Sequence, residues 1–489
     1  MSTTVFYRAR AFLCTTVLVC AIGWTGCANT DPWDQRKMAP QGPSHEFRPE
    51  NNILSPAREA VEKSRTSEEV KGEQLSMARC MAIALENNPR TRGTLQAARA
   101  ASARVGEEKS AYLPRAEFTT GANRADNADI DVGTIRTREL DPTTTSDASF
   151  GVRYLLYDGG RRAAHVSGAR AQLYAANFRH NAALQEVALR VERAYYRLLA
   201  ARWSVKVAEE TVRQTEHHAD LARARYETGM VSRSDVLRAE TERANARLQL
   251  VRAQSETKVA RGELASAMNV DVSDPLQVQD IPKESRSRDV AAVEKLLKVA
   301  AKGRPELQAA LAEVQGSQAA IRAARSEYRP EITTQADYGW RDTHFAPNED
   351  EWSIGLGLSL PLFTGFERSY RVRRTDSELR RAISEYEDTL RAVALVVWTA
   401  NARVQEADQA IEAAQALMAS AKESLDVAEG EYKAGVGSIT ELIDAQTAYT
   451  QARNQLVQAR LDWYEALARL ERAVGRSLEK QQASNGGKD

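Results

Sequence analysis

The chain has 489 residues, 27% of them charged, and its 67 Lys and Arg balance 67 Asp and Glu at a formal net charge of zero. That length is enough for a large core or several domains, and the charge balance argues against non-specific nucleic-acid binding, which needs a basic surplus. Ala, Glu, Arg, Leu and Gln dominate, a composition typical of helical proteins. No internal run reaches the ~18–20 apolar residues of a transmembrane helix, so a membrane crossing, if there is one, does not use helices.

The N-terminus carries the pattern of an export signal. Arg8 and Arg10 precede a short apolar run, and Thr-Gly-Cys follows it at Cys27. A basic start, an apolar stretch and small residues before a cysteine predict a signal peptide over 1–26. The cysteine makes this segment similar to a bacterial lipoprotein signal, in which Cys27 would be acylated. Trp24 stands where an aliphatic residue is usual, and an ordinary signal peptide with an incidental cysteine is the alternative.

A polar leader with several prolines and little periodicity follows at 27–74, and it is lipid-anchored if Cys27 is acylated. Cys14 and Cys20 leave with the signal peptide. An acylated Cys27 then leaves Cys80 alone, so the sequence predicts neither a disulfide framework nor a thiolate metal cluster.

The rest of the chain consists of two similar halves. The predicted segments are a first repeat, a linker, a second repeat and a polar C-terminal tail, at 75–275, 276–292, 293–476 and 477–489. Each repeat opens with a short amphipathic helix and an Ala-rich helix whose apolar residues recur at helical spacing. The Ala-rich helices stop at Pro114 and Pro330, because proline ends helices.

Alternating apolar residues after those prolines predict two strands in each repeat. The strands are expected at ~115–124 and ~148–157 in the first repeat and at ~331–341 and ~351–361 in the second. In the last strand, five large apolar residues from Trp352 to Leu360 alternate with Ser and Gly only. One face of such a strand suits lipid and the other suits water. Tyr338, Trp340 and Trp352 cluster as an interfacial aromatic belt would.

The same strand-to-helix junction occurs twice, as LLYDGGRR at 155–162 and PLFTGFER at 361–368. The two stretches are 206 residues apart, and this offset holds without insertion through the hairpin that ends the following helix. The candidate junction residues are Gly159, Gly160, Pro361 and Gly365. The constant offset indicates an internal duplication.

Helical patterns of equal length follow the junctions, from about His165 to Thr228 and from about Arg371 to Ala434. Each would be about 95 Å long at 1.5 Å per residue. Such a helix exceeds a single globular core, so coiled-coil packing is expected.

Each long helix ends in a hairpin, predicted at ~228–233 and ~434–439. Gly229 and Gly435 stand where a helix C-cap needs a positive φ. Ser232 and Ser438 are N-cap candidates for a return helix, because an acid follows each of them three residues later.

Two strands per repeat give four strands per chain. Four strands are too few to close into a membrane barrel. An open sheet edge in lipid leaves backbone groups unpaired, and closed membrane barrels have eight or more strands. Three chains would supply twelve strands and bundle their helices into a tube, and closed symmetry is common among homo-oligomers. The duplication then gives each chain two equivalent segments of one cylinder.

These features resemble the TolC family of outer-membrane efflux proteins, over about Leu75 to Gly475. The motifs that carry the resemblance are NNP, RPELQAAL, YLP, YRP, the two junctions and the paired Tyr-x-x-Gly-x-x-Ser hairpins. The family implies a mainly α fold with membrane strands: a trimeric twelve-stranded β-barrel, four strands per chain, continued by a long coiled-coil tunnel in the periplasm. It also implies a homotrimer in outer-membrane lipid that docks a periplasmic adaptor (membrane fusion protein) and an inner-membrane exporter. An acylated Cys27 resembles the lipoprotein branch of the family.

Acidic residues follow both hairpins, at Asp235, Glu441 and Asp444. Acids in the first turn of a helix cap it and complement its dipole, which is the structural interpretation. The resemblance adds a second one, in which Glu441 and Asp444 line a cation-selective ring at the periplasmic gate, with Tyr432 as gate tyrosine and Asp235 as its partner acid. Some members of the family have Arg at the position of Gly437, where it takes part in gate bonds. The resemblance further implies that the hairpins at Gly229 and Gly435 dock the adaptor; two tight turns are the alternative.

The predicted function is the exit duct of a tripartite efflux system, which passes small molecules from an inner-membrane pump to the exterior. The alternatives are the exit duct of type I protein secretion and a non-channel coiled-coil scaffold. Enzyme motifs are absent from the sequence, and its histidines have no Cys or carboxylate partner at metal-ligand spacing. We therefore expect no enzyme activity, no cofactor, no metal site and no nucleic-acid partner.

Overall fold

The computed structural model describes residues 74–125, 143–273, 276–280, 292–342 and 349–475. Within these ranges the strands are β1 (Gln74–Leu75), β2 (Arg115–Ala125), β3 (Thr143–Tyr157), β4 (Gln277–Val278), β5 (Glu331–Asp342) and β6 (Glu349–Ser359). The helices are α1 (Met77–Asn87), α2 (Pro89–Ser110), α3 (Arg161–Glu227), α4 (Arg233–Met268), α5 (Val293–Gly303), α6 (Pro305–Ser326), α7 (Glu367–Ala434) and α8 (Ile439–Val474).

The two repeats have the same order of elements. Each contains two short helices, two strands, a long helix and a return helix. The return helices α4 and α8 both have 36 residues and begin 206 residues apart. The long helices α3 and α7 have 67 and 68 residues, which corresponds to about 100 Å each. The predicted two-fold repeat and long helices are therefore present.

Four strands, two from each repeat, form one antiparallel sheet in the order β2-β3-β5-β6. One face carries large apolar side chains interspersed with Ala and Thr, and the other face is mostly polar residues and glycine. Four aromatic residues lie directly opposite one another across the strands on the apolar face: Phe118, Phe150, Tyr338 and Trp352. Their exposed fractions are 63%, 47%, 43% and 72%, so nothing in the described chain covers this row.

Apolar clusters hold the helices together at equivalent places in the two repeats. In the first repeat, Tyr195, Leu199, Leu264 and Met268 join α3 and α4 to α1 and the small β1–β4 sheet. The Tyr195 hydroxyl donates to the Gln279 carbonyl at 2.7 Å, which satisfies its buried polar end. In the second repeat, an equivalent cluster joins α5 and α6 to α7 and α8. Both clusters bury the apolar residues whose helical spacing predicted these helices.

Several segment ends differ from the predictions. Strand β3 begins at Thr143 rather than near 148, and β6 ends at Ser359 rather than 361. Pro361 has no N–H for the strand ladder, which explains the earlier end of β6. Gln74, predicted as leader, and Gln277–Val278, predicted as linker, form the small parallel sheet. The signal peptide, Cys27, most of the leader and the tail at 477–489 lie outside the described residues.

Candidate functional site

The first strand-to-helix junction is organised by Asp158, two residues before the N-cap of α3. Its carboxylate accepts hydrogen bonds from the backbone N–H groups of Gly160 (3.1 Å) and Arg162 (2.7 Å) and from Nε of Arg162 (3.2 Å). These bonds satisfy N–H groups that have no partner within a helix. Gly159 has φ +67°, and a Cβ there would lie 2.6 Å from Cβ of Arg329. Only glycine fits that position.

Arg162 ties three elements together at this junction. Its guanidinium donates to the carbonyls of Leu155 (2.7 Å) and Leu156 (3.2 Å) in β3 and of Ala111 (3.2 Å) after α2. It also lies 4.7 Å from the centre of the Tyr112 ring. Burial alone would raise the pKa of Asp158, but hydrogen bonds from the Arg162 and Gly160 backbone and the charges of two arginines outweigh it and lower that pKa. The carboxylate is therefore ionised at neutral pH.

The second junction repeats this arrangement with a neutral partner. Arg368 donates from Nε to Oγ1 of Thr364 (3.1 Å) and from Nη1 to the Glu327 carbonyl after α6 (3.2 Å). Its guanidinium lies 4.9 Å from the centre of the Tyr328 ring. Gly365 has φ +60°, and Phe366, which precedes α7, has φ +65°. The fold of this turn therefore uses two successive left-handed residues.

The predicted junction residues Gly159, Gly160, Pro361 and Gly365 all lie between strand and helix in the structure. Their roles are conformational, since three of them have positive φ and the fourth is the exposed proline after β6. The sequence analysis missed the arginines, Arg162 and Arg368. A signal was present, because both are Arg at the same offset of 206 residues.

The hairpins at the other end of the long helices both contain complete capping boxes. The Ser232 and Ser438 hydroxyls accept from the N–H of Asp235 (3.3 Å) and Glu441 (3.2 Å). In return, these acids accept from the backbone N–H of Ser232 (3.0 Å) and Ser438 (2.9 Å). The same serine N–H and O–H bonds lower the pKa of Glu441. Within one chain, both acids therefore serve as helix caps.

The glycines of both hairpins adopt left-handed conformations. Gly229 has φ +74° and Gly435 has φ +86°. The residues that follow them are Met230 and Val436, whose side chains are 69% and 80% exposed. Each hairpin therefore presents an apolar side chain to solvent at its tip.

Tyr432 lies where the two hairpins meet. Its side chain is buried in a cluster that includes Leu425, Ile439 and Leu442 of the second repeat and Ala222 of the first. The Arg225 guanidinium lies 4.9 Å from the centre of the Tyr432 ring and donates to the Tyr432 carbonyl. Burial raises the pKa of Tyr432, and the Arg225 charge opposes this rise. Arg225, which the sequence analysis missed, thus links the two repeats here.

The structure does not bring the four predicted gate residues into one cluster. Tyr432 is buried, Asp235 is half-buried, and Glu441 and Asp444 are exposed on α8. Burial is the main cause of the raised pKa of Tyr432, and the charge of Asp235 adds to it.

A polar layer separates this hairpin cluster from the rest of the α3–α8 contact. Gln446 donates to Oε1 of Gln214 (3.0 Å) and Oγ1 of Thr450 (3.2 Å), and it is 1% exposed. His218 is buried beside it, and burial lowers its pKa. His218 is therefore a buried histidine of the helix seam. Among the described residues, no group of three His, Cys, Asp or Glu could hold a metal ion.

Comparison with known proteins agrees with this architecture. The family model described as "Outer membrane efflux protein" matches residues 81–270 and 296–476. The chain belongs to this family. The two matched segments correspond to the two repeats, and the predicted TolC-family membership is confirmed.

Two relatives and one solved structure illustrate the similarity. Protein CyaE of Bordetella pertussis is 26% identical over 389 residues, which cover 79% of this chain and 81% of that protein. Outer membrane protein TolC of Vibrio cholerae is 24% identical over 405 residues, covering 80% and 89%. The crystal structure of the Vibrio cholerae outer membrane protein VceC superposes with a TM-score of 0.72 at 17% identity, covering 82% of this chain and 96% of that one.

As an outer membrane efflux protein, the chain is an outer-membrane exit duct of an efflux or secretion system. The predicted mainly α fold, the function and the outer-membrane location are confirmed at this level. The family consists of channel proteins that serve as outer-membrane components of tripartite systems with an adaptor and an inner-membrane pump. None of the helices in the described ranges is long and apolar enough to span a membrane.

Proposed function

We propose that the chain forms a homotrimeric exit duct that exports small molecules in a tripartite efflux system. The observation that carries this proposal is the four-stranded sheet with two open edges and an exposed apolar face. In the described sheet, β2 and β6 each pair on one side only. Four large apolar side chains on β6 are 70–75% exposed: Trp352, Ile354, Leu356 and Leu358. Contact of such a continuous apolar surface with water is strongly unfavourable.

Lipid and two further copies of the chain would resolve both features. Lipid would cover the apolar face, and the row of four aromatic residues would lie at the membrane interface. Joining β6 of one chain to β2 of the next would close a twelve-stranded barrel and leave no edge in lipid. A non-channel coiled-coil scaffold, one of the two alternatives, would not need such a sheet.

The helices also expose apolar residues that a second copy would cover. Leu395 and Trp398 on α7 are 64% and 59% exposed, and Val251 and Val259 on α4 are 61% and 52% exposed. These residues lie on α4 and α7, whose buried positions are often Ala, which allows close helix packing. Their exposure supports lateral packing of helices from neighbouring chains into a tunnel.

The periplasmic end of this tunnel would contain the gate and the docking surface. We propose that Glu441 and Asp444, three residues apart on one face of α8, form a ring of carboxylates in the trimer, with Asp235 and Tyr432 at the hairpin contact. The hairpins around Gly229, Ser232, Gly435 and Ser438 would dock the periplasmic adaptor. Exposed Met230 and Val436 at their tips support this second role, because adaptor contact would cover them.

The choice of small-molecule efflux over protein secretion rests on the description of the family and on the predicted acylation of Cys27. The names of relatives do not decide it. An alkaline protease secretion protein of Pseudomonas aeruginosa is 23% identical over 410 residues, and a toluene efflux pump outer membrane protein of Pseudomonas putida is 24% identical over 300.

In-cell photocrosslinking would test the proposal. A photoreactive residue is placed at Thr228 or Ala434, both exposed beside the hairpin turns, and captured proteins are identified by mass spectrometry. We expect capture of a periplasmic adaptor together with a proton-driven exporter. A photoreactive residue at Val259, far along α4 from the hairpin, is the matched control and should capture a second copy of the chain.

The other outcomes discriminate among the alternatives. An adaptor captured with an ATP-driven exporter would favour type I secretion. Capture of cytoplasmic proteins alone would overturn the exit-duct proposal.

A further inference from the structure

The sheet face opposite the apolar one carries opposite charges in two successive rungs, where a rung is the set of residues directly opposite one another on the four strands. The basic rung consists of Arg115, Arg153, Gln335 and Gly355. The acidic rung consists of Glu117, Gly151, Asp337 and Ser353. The rungs are two residues apart along each strand, which is about 7 Å.

The basic rung is locally unfavourable. Arg115 and Arg153 are direct cross-strand partners, and like charges in that position destabilise a sheet. Both side chains are exposed, and neither makes an ion pair with any residue that the structure describes. A sheet that needed only a polar face could use Thr or Ser here, as it does at Thr119 and Ser149 one rung beyond the acids. Such a local cost is typical of a functional site.

The acidic rung contains a notch. Gly151 lies between Glu117 and Asp337 and has no side chain to separate them. Oδ1 of Asp337 extends over this glycine, 2.7 Å from the position that a Cβ would occupy. Two carboxylates therefore face one open space, which lies one rung away from the two guanidinium groups.

A cavity of about 670 Å³ is lined by three residues of each rung, Arg115, Arg153 and Gln335 and Glu117, Gly151 and Asp337. Other charged groups at its edge are already paired. Arg161 forms an ion pair with Glu331 at 3.0 Å, and Arg162 forms one with Asp158 at 3.2 Å. The unpaired charges of the cavity are therefore the two arginines and the two acids of the rungs. The two positive charges equal the two negative charges in number, so the site favours neither simple cations nor simple anions.

We infer that this cavity binds small zwitterions, with the anionic group of the ligand on Arg115 and Arg153 and its cationic group on Glu117 and Asp337. Paired guanidinium groups bind a carboxylate or phosphate by charge-assisted hydrogen bonds. Two carboxylates across the Gly151 notch can accept several bonds from an ammonium group. The inference deepens the proposed function and rests on it for one point, that this face lines the duct. It assigns zwitterionic small molecules as a class of cargo.

Saturation-transfer NMR on the purified full-length protein in detergent would test this inference. The probe is 6-aminohexanoate, whose carboxylate and ammonium are separated by five methylene groups, and the singly charged comparisons are hexanoate and hexylammonium. We expect the zwitterion to bind more tightly than either comparison. The double variants R115Q/R153Q and E117Q/D337N should each weaken zwitterion binding about two- to fivefold or more, the range for loss of an exposed charge contact.

Two further variants separate a built site from general charge attraction. Arg341 and Glu351 lie on the same face, 3.9 Å apart, outside the cavity lining. The matched control R341Q/E351Q should leave binding unchanged. Gly151→Ala keeps all four charges but fills the notch beside Asp337, and it should weaken zwitterion binding as well. Each variant is first passed over a size-exclusion column. Its binding is compared only if it elutes at the same volume as the wild type, so that a folding defect is detected.

Equal binding of hexanoate and 6-aminohexanoate, or equal binding by wild type and both rung variants, would overturn the zwitterion site. The measurement uses the isolated protein and needs no adaptor or pump. A failed zwitterion site therefore leaves the photocrosslinking result intact. A failed exit-duct proposal would show in the crosslinks and not in these spectra.

Discussion

At the first strand-to-helix junction a carboxylate, Asp158, holds Arg162, whereas at the equivalent position 206 residues later the hydroxyl of Thr364 holds Arg368. Both arginines donate to the carbonyl that ends the preceding Ala-rich helix, and both lie over a tyrosine ring. The duplication has therefore kept the arginine and its contacts but not the charge of its partner. In both junctions a buried arginine therefore joins the end of the preceding Ala-rich helix to the start of the long helix.

The difference lies in how each junction compensates a buried cation. The Arg162 and Asp158 side chains are 10% and 6% exposed, so this is a buried ion pair. Such a pair gives little net stabilisation compared with an apolar contact, but removing one partner leaves an uncompensated charge. At the second junction Arg368 is 9% exposed and has neutral acceptors, so its loss would strand no opposite charge. The two junctions should therefore respond unequally to the same substitution.

The largest expected effect comes from replacing each arginine by alanine. Arg162→Ala leaves the Asp158 carboxylate buried without its cation and should lower the free energy of unfolding by about 3–5 kcal/mol. Arg368→Ala removes hydrogen bonds to neutral groups and should cost about 1–3 kcal/mol. Urea unfolding of the purified protein, followed by circular dichroism, measures both variants.

Arg161→Ala is the control for these variants, because the Arg161–Glu331 pair is about a third exposed and such pairs contribute about 0–1 kcal/mol. Equal losses for Arg162→Ala and Arg368→Ala would show that the counter-charge is irrelevant. Both losses of stability would then be explained by the lost packing against Tyr112 and Tyr328.

The sequence revealed the junctions but not this cluster. Gly159, Gly160 and Gly365 were predicted because they stand between strand and helix in a motif that occurs twice, a local pattern that needs no tertiary structure. Their positive φ agrees with the preference of glycine for that conformation. Arg162 and Arg368 act through carbonyl groups 51 and 41 residues away in sequence, at the ends of α2 and α6. Arginine in an Arg-rich helical stretch looks like an exposed residue. Its burial follows only from the tertiary packing of strand and helix.

The same distinction holds at the hairpins and in the sheet. The capping boxes of Ser232 and Ser438 were predictable, because both partners lie within three residues. The contact of Arg225 with Tyr432 spans 207 residues and the two repeats, and no local pattern indicates it. The alternating strands predicted an apolar face, but the basic and acidic rungs depend on the register between strands, which the alternation does not determine.

A smaller effect, and a sharper comparison of the junctions, comes from pH. Asp158 has a pKa that the folded structure lowers, so its contribution to stability is complete above the ordinary aspartate pKa of about 3.9 and is lost as pH falls through the lower folded value. Asp158→Asn keeps one acceptor oxygen but has no carboxyl group, so it lacks this pH-dependent contribution to stability. It should be less stable than the wild type at pH 7, and the difference should shrink as the pH falls from about 5 to 3.

Thr364→Ala provides the matched variant at the second junction. It removes the acceptor of Arg368 Nε at 3.1 Å, and no carboxylate is lost, so its difference from the wild type should stay constant over the same pH range. Thermal unfolding at a series of pH values measures both differences. A pH-independent gap for Asp158→Asn would show that the aspartate acts only as a hydrogen-bond acceptor. The two junctions would then differ in the geometry of their acceptors rather than in charge.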